Sequence, residues 1–326
     1  MMHPFRYARL ADLAVAMTAA KDPTAEFLAG GTDMLQLLKD DIRRPAHLLD
    51  LGGIAELQRI EAGPNGLRLG ALARMSDVAE HPVVKAEYPV LSQALLASAS
   101  PQVRNMGTMG GNLLQRTRCL YFRDIATPCN RRMPGSGCGA LNGENRLHAI
   151  LGGSDRCVAT HPSDLAVALV ALDAVLVAQS LGGERHIPVE AFHLVPGETP
   201  DRETALAPGE IITAVEVPAT TFARRSLYYK VRDRASFEFA LAAAAVALDL
   251  DEGRIREARV ALGGVATKPW RAHSVEAALR DAPLERAAFE AAASHAADGA
   301  KVLAQNGFKV PLVQRAVLHA LVTLGT

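Results

Sequence analysis

The chain of 326 residues predicts an α+β fold, and three observations carry that prediction. Residues 26–39 read as a strand that runs through Gly30-Gly31 straight into a helix. Residues 211–262 read as successive strands, with Asp251-Glu252-Gly253-Arg254 as a hairpin turn. Helical periodicity then returns at residues 284–296 and 312–324. The length allows two or three cores, because single cores stop growing near roughly 250–300 residues.

Composition narrows the function classes. Lys plus Arg and Asp plus Glu stand at 35 each, so no net basic charge points to nucleic acid or an anionic membrane. No run approaches the roughly 20 apolar residues of a membrane span. The opening MMHPFRYARLADLAVAM carries Asp12 within a short, interrupted apolar run, unlike a cleaved signal peptide. Four cysteines in so long a chain are no disulfide scaffold, and their number leaves the redox compartment open.

Taken in order, residues 12–20 read as a helix, 26–29 as a strand and 34–39 as a helix. The junction between the last two offers unpaired backbone N–H groups at the positive end of a helix dipole, which suits a phosphate. Its spacing matches neither a dinucleotide-binding Rossmann turn nor a P-loop, and alone it is an ordinary tight turn. Residues 47–51 and 67–72 read as strands, with turns at Gly52-Gly53 and at Gly63-Pro64-Asn65-Gly66. A helix over 91–99 ends at Pro101, and a second glycine cluster, Asn105 to Asn112, follows. Small residues there let backbone approach a ligand closely. Two such clusters, about 80 residues apart, indicate one ligand held from both sides, with backbone donors from each.

Residues 113–154 form a long irregular stretch rich in Arg, Gly, Pro and Asn, of a length that is usually functional or disordered. A helix over 163–173 and a strand over 174–178 resume the regular pattern, and 196–208 is a polar loop. Strands follow at 211–217, 227–231, 240–250 and 255–262. Alanine favours helix at 240–247, but the hairpin needs a strand of that length as partner.

Cys119, Cys129, Cys138 and Cys157 all fall within 39 residues, separated by nine, eight and eighteen residues. Four thiolates can complete a zinc site or a 4Fe–4S cluster. The spacing lacks both the zinc-knuckle and the ferredoxin pattern, so two disulfides or buried free thiols stay open beside metal binding. Arg116, Arg118, Arg123, Arg131 and Arg132 favour the cluster, whose negative charge a basic loop offsets.

At this point the residues resemble a family, the flavin-binding subunits of the molybdenum hydroxylases, which include xanthine dehydrogenases, carbon monoxide dehydrogenases and aldehyde oxidoreductases. Leu28-Ala29-Gly30-Gly31-Thr32-Asp33 looks like the family's first FAD-pyrophosphate loop, and Gly107-Thr108-Met109-Gly110-Gly111-Asn112-Leu113 like its second. The resemblance implies a two-part N-terminal FAD-binding domain, 1–60 and 61–218 with an insertion at 113–158, and an α+β C-terminal domain at 222–326. It implies FAD contacts at Glu26, Phe27, Leu28, Ala29, Gly30, Gly31, Thr32, Asp33, Met34, Thr108, Gly110, Gly111 and Asn112. Asp164 sits where the family places an aspartate on the ribityl chain, Ile212 where an apolar residue packs on the cofactor, and Lys230 where a lysine approaches the isoalloxazine. Without the resemblance, Lys230 reads as a surface strand lysine.

The insertion from Gln115 to Cys157 is similar to that of bacterial aldehyde oxidoreductases whose flavin subunit holds an extra 4Fe–4S cluster, which implies Cys119, Cys129, Cys138 and Cys157 as its ligands. A related insertion occurs in hydroxybenzoyl-CoA reductases. The implied function is electron transfer: aldehyde oxidation on a molybdenum-cofactor subunit, passage through a 2Fe–2S subunit, and delivery by FAD on this chain to an external acceptor, within a heterotrimer. The compartment is cytoplasmic or, with a signal-bearing partner, periplasmic, the latter favoured by the resemblance. A different class, an assembly module holding a nucleotide and zinc, stays open on the residues alone.

Overall fold

The structure, a computed structural model, describes residues 2–325. The first element, β1 (Arg6–Arg9), leads through α1 (Leu13–Ala19) to β2 (Ala25–Leu28), and α2 (Met34–Lys39) carries the chain to β3 (His47–Asp50). The three strands pair in parallel in the order β1-β3-β2. Asp12 caps α1 by accepting the Val15 N–H at 3.0 Å. A small core of Ala16, Leu51, Ile54 and Leu57 closes under this sheet and reaches Leu72 and Ile211 of the next unit.

The second sheet starts with β4 (Ile60–Gly63) and β5 (Gly66–Gly70). Four short helices follow: α3 (Met75–Glu80), α4 (Pro82–Glu87), α5 (Pro89–Ala97) and α6 (Pro101–Met106). Pro101 therefore opens a helix instead of merely ending one: it occupies the first turn, where its missing N–H costs nothing, and Ser100 caps the Val103 N–H. The helices α7 (Met109–Leu113), α8 (Leu120–Arg123) and α9 (Asp164–Ala171) bracket the irregular insertion. Strands β6 (Val175–Ser180) and β7 (Gly183–Pro188), the turn α10 (Val189–Phe192) and β8 (Ile211–Pro218) complete an antiparallel sheet of order β4-β5-β8-β6-β7.

The third sheet contains β9 (Ser226–Val231), β10 (Ala242–Asp251), β11 (Arg254–Gly263) and β12 (Trp270–Arg271), antiparallel in the order β12-β11-β10-β9. The helices α11 (His273–Leu279), α12 (Arg286–Ser294) and α13 (Lys309–Gly325) cover its far face. The alanines of β10 are explained by this placement. Ala243 and Ala245 enter the core shared with α5 and α9, while Ala242, Ala244, Val246 and Leu248 enter the core under α13. A strand covered closely on both faces favours small side chains, and burial overrides the helix propensity of alanine. All eight residues of α9 are buried because it lies between two sheets. The hairpin turn puts Glu252 at φ 46° and Gly253 at φ 77°, the left-handed pair that a two-residue hairpin needs.

The insertion keeps its shape with little regular structure. The Arg132 guanidinium donates to the carbonyls of Tyr121, Phe122 and Thr127, and Asn130 Oδ1 accepts the Gly137 N–H at 2.8 Å. Residues 301–309 then clasp residues 145–150. Asn145 and Gln305 each accept the other's backbone N–H at 2.9 Å, and the buried Asn306 amide donates to His148 O and Ala149 O. Lys309 Nζ donates to Leu147 O at 3.0 Å and to Gly264 O at 2.7 Å. Among the described residues no helix is long and apolar enough to cross a membrane.

Candidate functional site

A cavity of about 890 Å³ opens where the three sheets meet, within the roughly 300–1000 Å³ of small-molecule sites. The turn between β2 and α2 forms one wall. Glu26, Phe27, Ala29, Gly30, Gly31, Thr32, Asp33 and Met34 all line it. Leu28, expected among them, is not part of the lining: its side chain packs beside Gly31, 3.5 Å from where a Cβ would stand. Among the described residues, the N–H groups of Gly30, Gly31, Thr32 and Asp33 donate to no acceptor within the chain. Gly31 adopts φ 72°, which glycine tolerates without strain. Gly30 faces the second glycine cluster so closely that a Cβ would lie 1.9 Å from Met106 O. A row of free N–H groups in a turn that side chains would fill is a cradle for phosphate oxygens.

The second cluster contributes differently from the sequence expectation. Thr108, Gly110, Gly111 and Asn112 line the cavity, but their donors are largely used within the chain. Gly110 N–H donates to Ala71 O at 2.8 Å, Gly111 N–H to Thr108 Oγ1 at 3.2 Å, and Asn112 N–H to Thr108 O at 2.8 Å. A Cβ on Gly110 would press on Ala71 at 3.1 Å. This loop is fastened to the end of β5 and supplies close approach more than hydrogen bonds.

At another wall, Asp164 and Lys230 meet in a buried ion pair, Nζ to Oδ2 at 2.7 Å, with the lysine side chain 4% exposed. Lys230 is therefore no surface lysine. Tyr228 donates its hydroxyl to Asp164 Oδ1 at 2.6 Å, and Ser98 Oγ lies 3.0 Å from Oδ2. Burial, with the adjacent carboxylate, pushes the Tyr228 hydroxyl well above the ordinary tyrosine range, so it remains a donor. Tyr228 was missed by sequence reasoning, yet a signal existed: it stands two residues from Lys230 on one strand and shares its face. Tyr229 turns the other way and stacks on His319 at 4.1 Å. Ile212, Glu210 and Ile211 also line the cavity, delivered by the start of β8.

The remaining rim is built from the insertion. Asp33 Oδ1 pairs with Arg123 at 2.9 Å and Arg118 at 3.0 Å, and its Oδ2 accepts the Arg116 backbone N–H at 2.8 Å. Glu203 pairs with Arg116 and, at 2.9 Å, with Arg131. The arginines are thus committed to carboxylates or, for Arg132, to carbonyls, and do not form a general basic field around the cysteines. Only Arg131 among these five bonds a cysteine, with Nη2 3.7 Å from Cys157 Sγ. His161 and His193 meet edge to face on the cavity wall with ring centroids 4.2 Å apart, and burial lowers both, His193 to about 4, so each is neutral.

All four cysteines are free and line one small enclosed pocket. Cys129 and Cys138 face each other across an antiparallel bridge. Two disulfides, an alternative left open by the spacing, are not formed. Among the described residues, no group of three or more His, Cys, Asp or Glu side chains is placed to hold a metal ion, the four cysteines included. Burial pushes the Cys119 thiol up to about 12, while the N–H groups of Phe122 and Tyr121 pull in the other direction. Cys138 is also raised by burial and opposed by the N–H groups of Ala140, Leu141 and Val158. His148, held neutral by burial that lowers it to about 4, lies with Nε2 3.1 Å from Cys119 Sγ.

Parallel sheet, antiparallel sheet and C-terminal sheet around a glycine-lined cleft define a flavoprotein class, and comparison with known proteins agrees. Residues 3–220 match the FAD binding domain in molybdopterin dehydrogenase, and residues 227–323 match the CO dehydrogenase flavoprotein C-terminal domain. The chain belongs to the FAD-binding subunits of the molybdenum hydroxylase family. It is 48% identical to the aldehyde oxidoreductase FAD-binding subunit PaoB of Escherichia coli (strain K12), over 98% of each chain. It is 30% identical to the glyceraldehyde dehydrogenase medium chain of Sulfolobus acidocaldarius, over 84% of this chain and 81% of that one. Among solved structures, carbon monoxide dehydrogenase from Hydrogenophaga pseudoflava aligns with a TM-score of 0.76 and 26% identity, over 98% of this chain and 97% of that chain.

Proposed function

We propose that this chain is the FAD and 4Fe–4S electron-transfer subunit of a molybdenum-dependent aldehyde oxidoreductase, with aldehyde oxidised on a molybdenum-cofactor subunit and electrons arriving through a 2Fe–2S subunit. The observation that carries the reading is the cavity itself, with free backbone donors on one wall and the Lys230–Asp164 pair on another. The aldehyde assignment is supported by the 48% identity to an aldehyde oxidoreductase subunit over nearly the whole chain.

FAD supplies a centre that takes electrons singly or in pairs, which suits a chain between iron–sulfur centres and an external acceptor. The residues divide the remaining work. The Gly30–Asp33 N–H groups bind phosphate, the second glycine loop lets backbone come close, and Ile212 contributes an apolar wall. Lys230 holds a positive charge where the family's lysine approaches the ring, and negative charge developing beside it is favoured in a buried setting. Asp164 offsets that ammonium in the resting protein, and Tyr228 fixes the carboxylate.

For the cluster, the support is the donor set. Four free thiols line one pocket, with backbone N–H groups directed at Cys119 and Cys138, and thiolates are the donors that iron–sulfur clusters take. The test of the route is rapid mixing of aldehyde with the assembled complex under anaerobic conditions. The flavin absorbance should bleach before an added acceptor is reduced; acceptor reduction while the flavin stays oxidised would remove this chain from the path.

A further inference from the structure

We infer that Arg131 couples the cysteine pocket to the FAD cavity, so that the state of Cys157 sets how tightly the cavity holds FAD. The inference rests on the reading of the large cavity as the FAD site, but not on what the cysteines hold. Among the described residues, Arg131 is the one that lines both cavities. Its side chain is 8% exposed. One end of the guanidinium donates to Cys157 Sγ at 3.7 Å and the other pairs with Glu203 Oε2 at 2.9 Å. Glu203 also pairs with Arg116, and the Arg116 backbone N–H donates to Asp33 Oδ2 at 2.8 Å. Asp33 closes the first glycine loop, whose N–H groups are free for the ligand. An unbroken line of polar contacts therefore runs from a cysteine sulfur to the phosphate cradle.

The physical case lies in the rigidity and burial of that line. A guanidinium is a planar fork with donors in fixed directions, so a change at one partner bears on how the others are met, and Arg131 Nε already has no acceptor among the described residues. Its buried position leaves little water to replace the sulfur, and an unsatisfied buried donor is costly. With Cys157 gone or altered, Arg131 is drawn towards Glu203, and Glu203 shares less with Arg116. The segment that fixes Asp33 then loosens, and the glycine loop must be ordered by FAD itself. The coupling is reciprocal: bound FAD would equally stabilise the arrangement around Cys157.

A double-mutant cycle on FAD affinity tests this. The full-length chain in its native assembly is stripped of flavin and titrated with FAD, as wild type, Cys157→Ala, Arg131→Met and the double variant, each checked by circular dichroism and thermal melting. Each single substitution is expected to weaken FAD roughly five- to hundredfold, the span of ordinary coupling energies, and the double to be no worse than the weaker single. Unchanged affinity in Cys157→Ala, or single effects that multiply in the double, would overturn the coupling. If Arg131→Met does not fold, Glu203→Gln replaces it in the cycle, since it removes the same link at constant size, and the same two outcomes decide. A wild-type chain that binds no FAD would overturn the cavity assignment and the coupling with it. Iron content, measured alongside, reports on the cluster separately.

Discussion

In the proposed reading, Lys230 supplies charge without serving as an anchor. Its ammonium is buried against Asp164, whose carboxylate also accepts from Tyr228, so the net charge presented to a ligand is a balance. Lys230→Met leaves the carboxylate behind and should lower the flavin reduction potential by roughly 30–60 mV, the two-electron equivalent of about 1.4–3 kcal/mol. FAD should still be retained, because the proposed phosphate cradle at Gly30–Asp33 lies on another wall of the cavity. A spectroelectrochemical titration checks this, and an unchanged potential in a folded variant would dissociate Lys230 from the flavin. His161 and His193 give a pH prediction. Their folded-state pKa values lie below the ordinary histidine range, His193 at about 4. At His193, between about pH 6.5 and 4 the unfolded chain takes up a proton that the folded chain refuses, and His161 acts in the same direction. Stability from these residues is therefore fully present above that window and declines as pH falls through it, by roughly 3 kcal/mol for His193. The urea midpoint should follow that course, and His193→Gln should flatten it; an equally steep acid limb in the variant would assign it to other groups.

At the scale of elements, Gly30, where the two glycine loops meet, has the least room for a side chain of the glycines lining the cavity. Gly30→Ala would drive a methyl into the Met106 carbonyl, whereas at Gly31 a methyl meets Leu35 and Leu28 at 3.4–3.5 Å and the cost is mainly the φ of 72°. Gly30→Ala should thus weaken FAD by roughly tenfold or more, about 1.4 kcal/mol, and more than Gly31→Ala, as read by fluorescence titration; the reverse order would contradict the loop contact. The clasp between residues 301–309 and the insertion makes a second prediction. Asn306→Ala removes both side-chain bonds to His148 O and Ala149 O and should cost about 1–3 kcal/mol in unfolding free energy. A change below a few tenths would show that the clasp is redundant. Much of this layer was legible beforehand: the strand–glycine–helix turn, the β10–β11 hairpin and the buried helix α9 follow from periodicity and turn chemistry. β1, β4 and β7 were not, because short edge strands exposed to solvent lack an apolar alternation. Nor could sequence find the partners of the insertion arginines. Arg123 and Asp33 are 90 residues apart, and a charge pattern does not say which carboxylate the fold brings near.

For the molecule as a whole, the layers place the large cavity and the cysteine pocket around one insertion. The turn after β2 and the loop between α6 and α7 supply the two glycine clusters, the C-terminal sheet supplies Lys230 and Tyr228, and the irregular segment both rims the large cavity and encloses the cysteines. An irregular segment of that length loses much conformational entropy on ordering, and metal–thiolate bonds are a natural compensation. The most direct measurement counts FAD and iron per chain in the wild type and in the four single Cys→Ser variants, with low-temperature paramagnetic resonance of the reduced protein. The account predicts a full FAD and 4Fe–4S complement in the wild type and iron depletion in every variant of Cys119, Cys129, Cys138 and Cys157. A wild-type chain without flavin, or iron undiminished in any one variant, would contradict it.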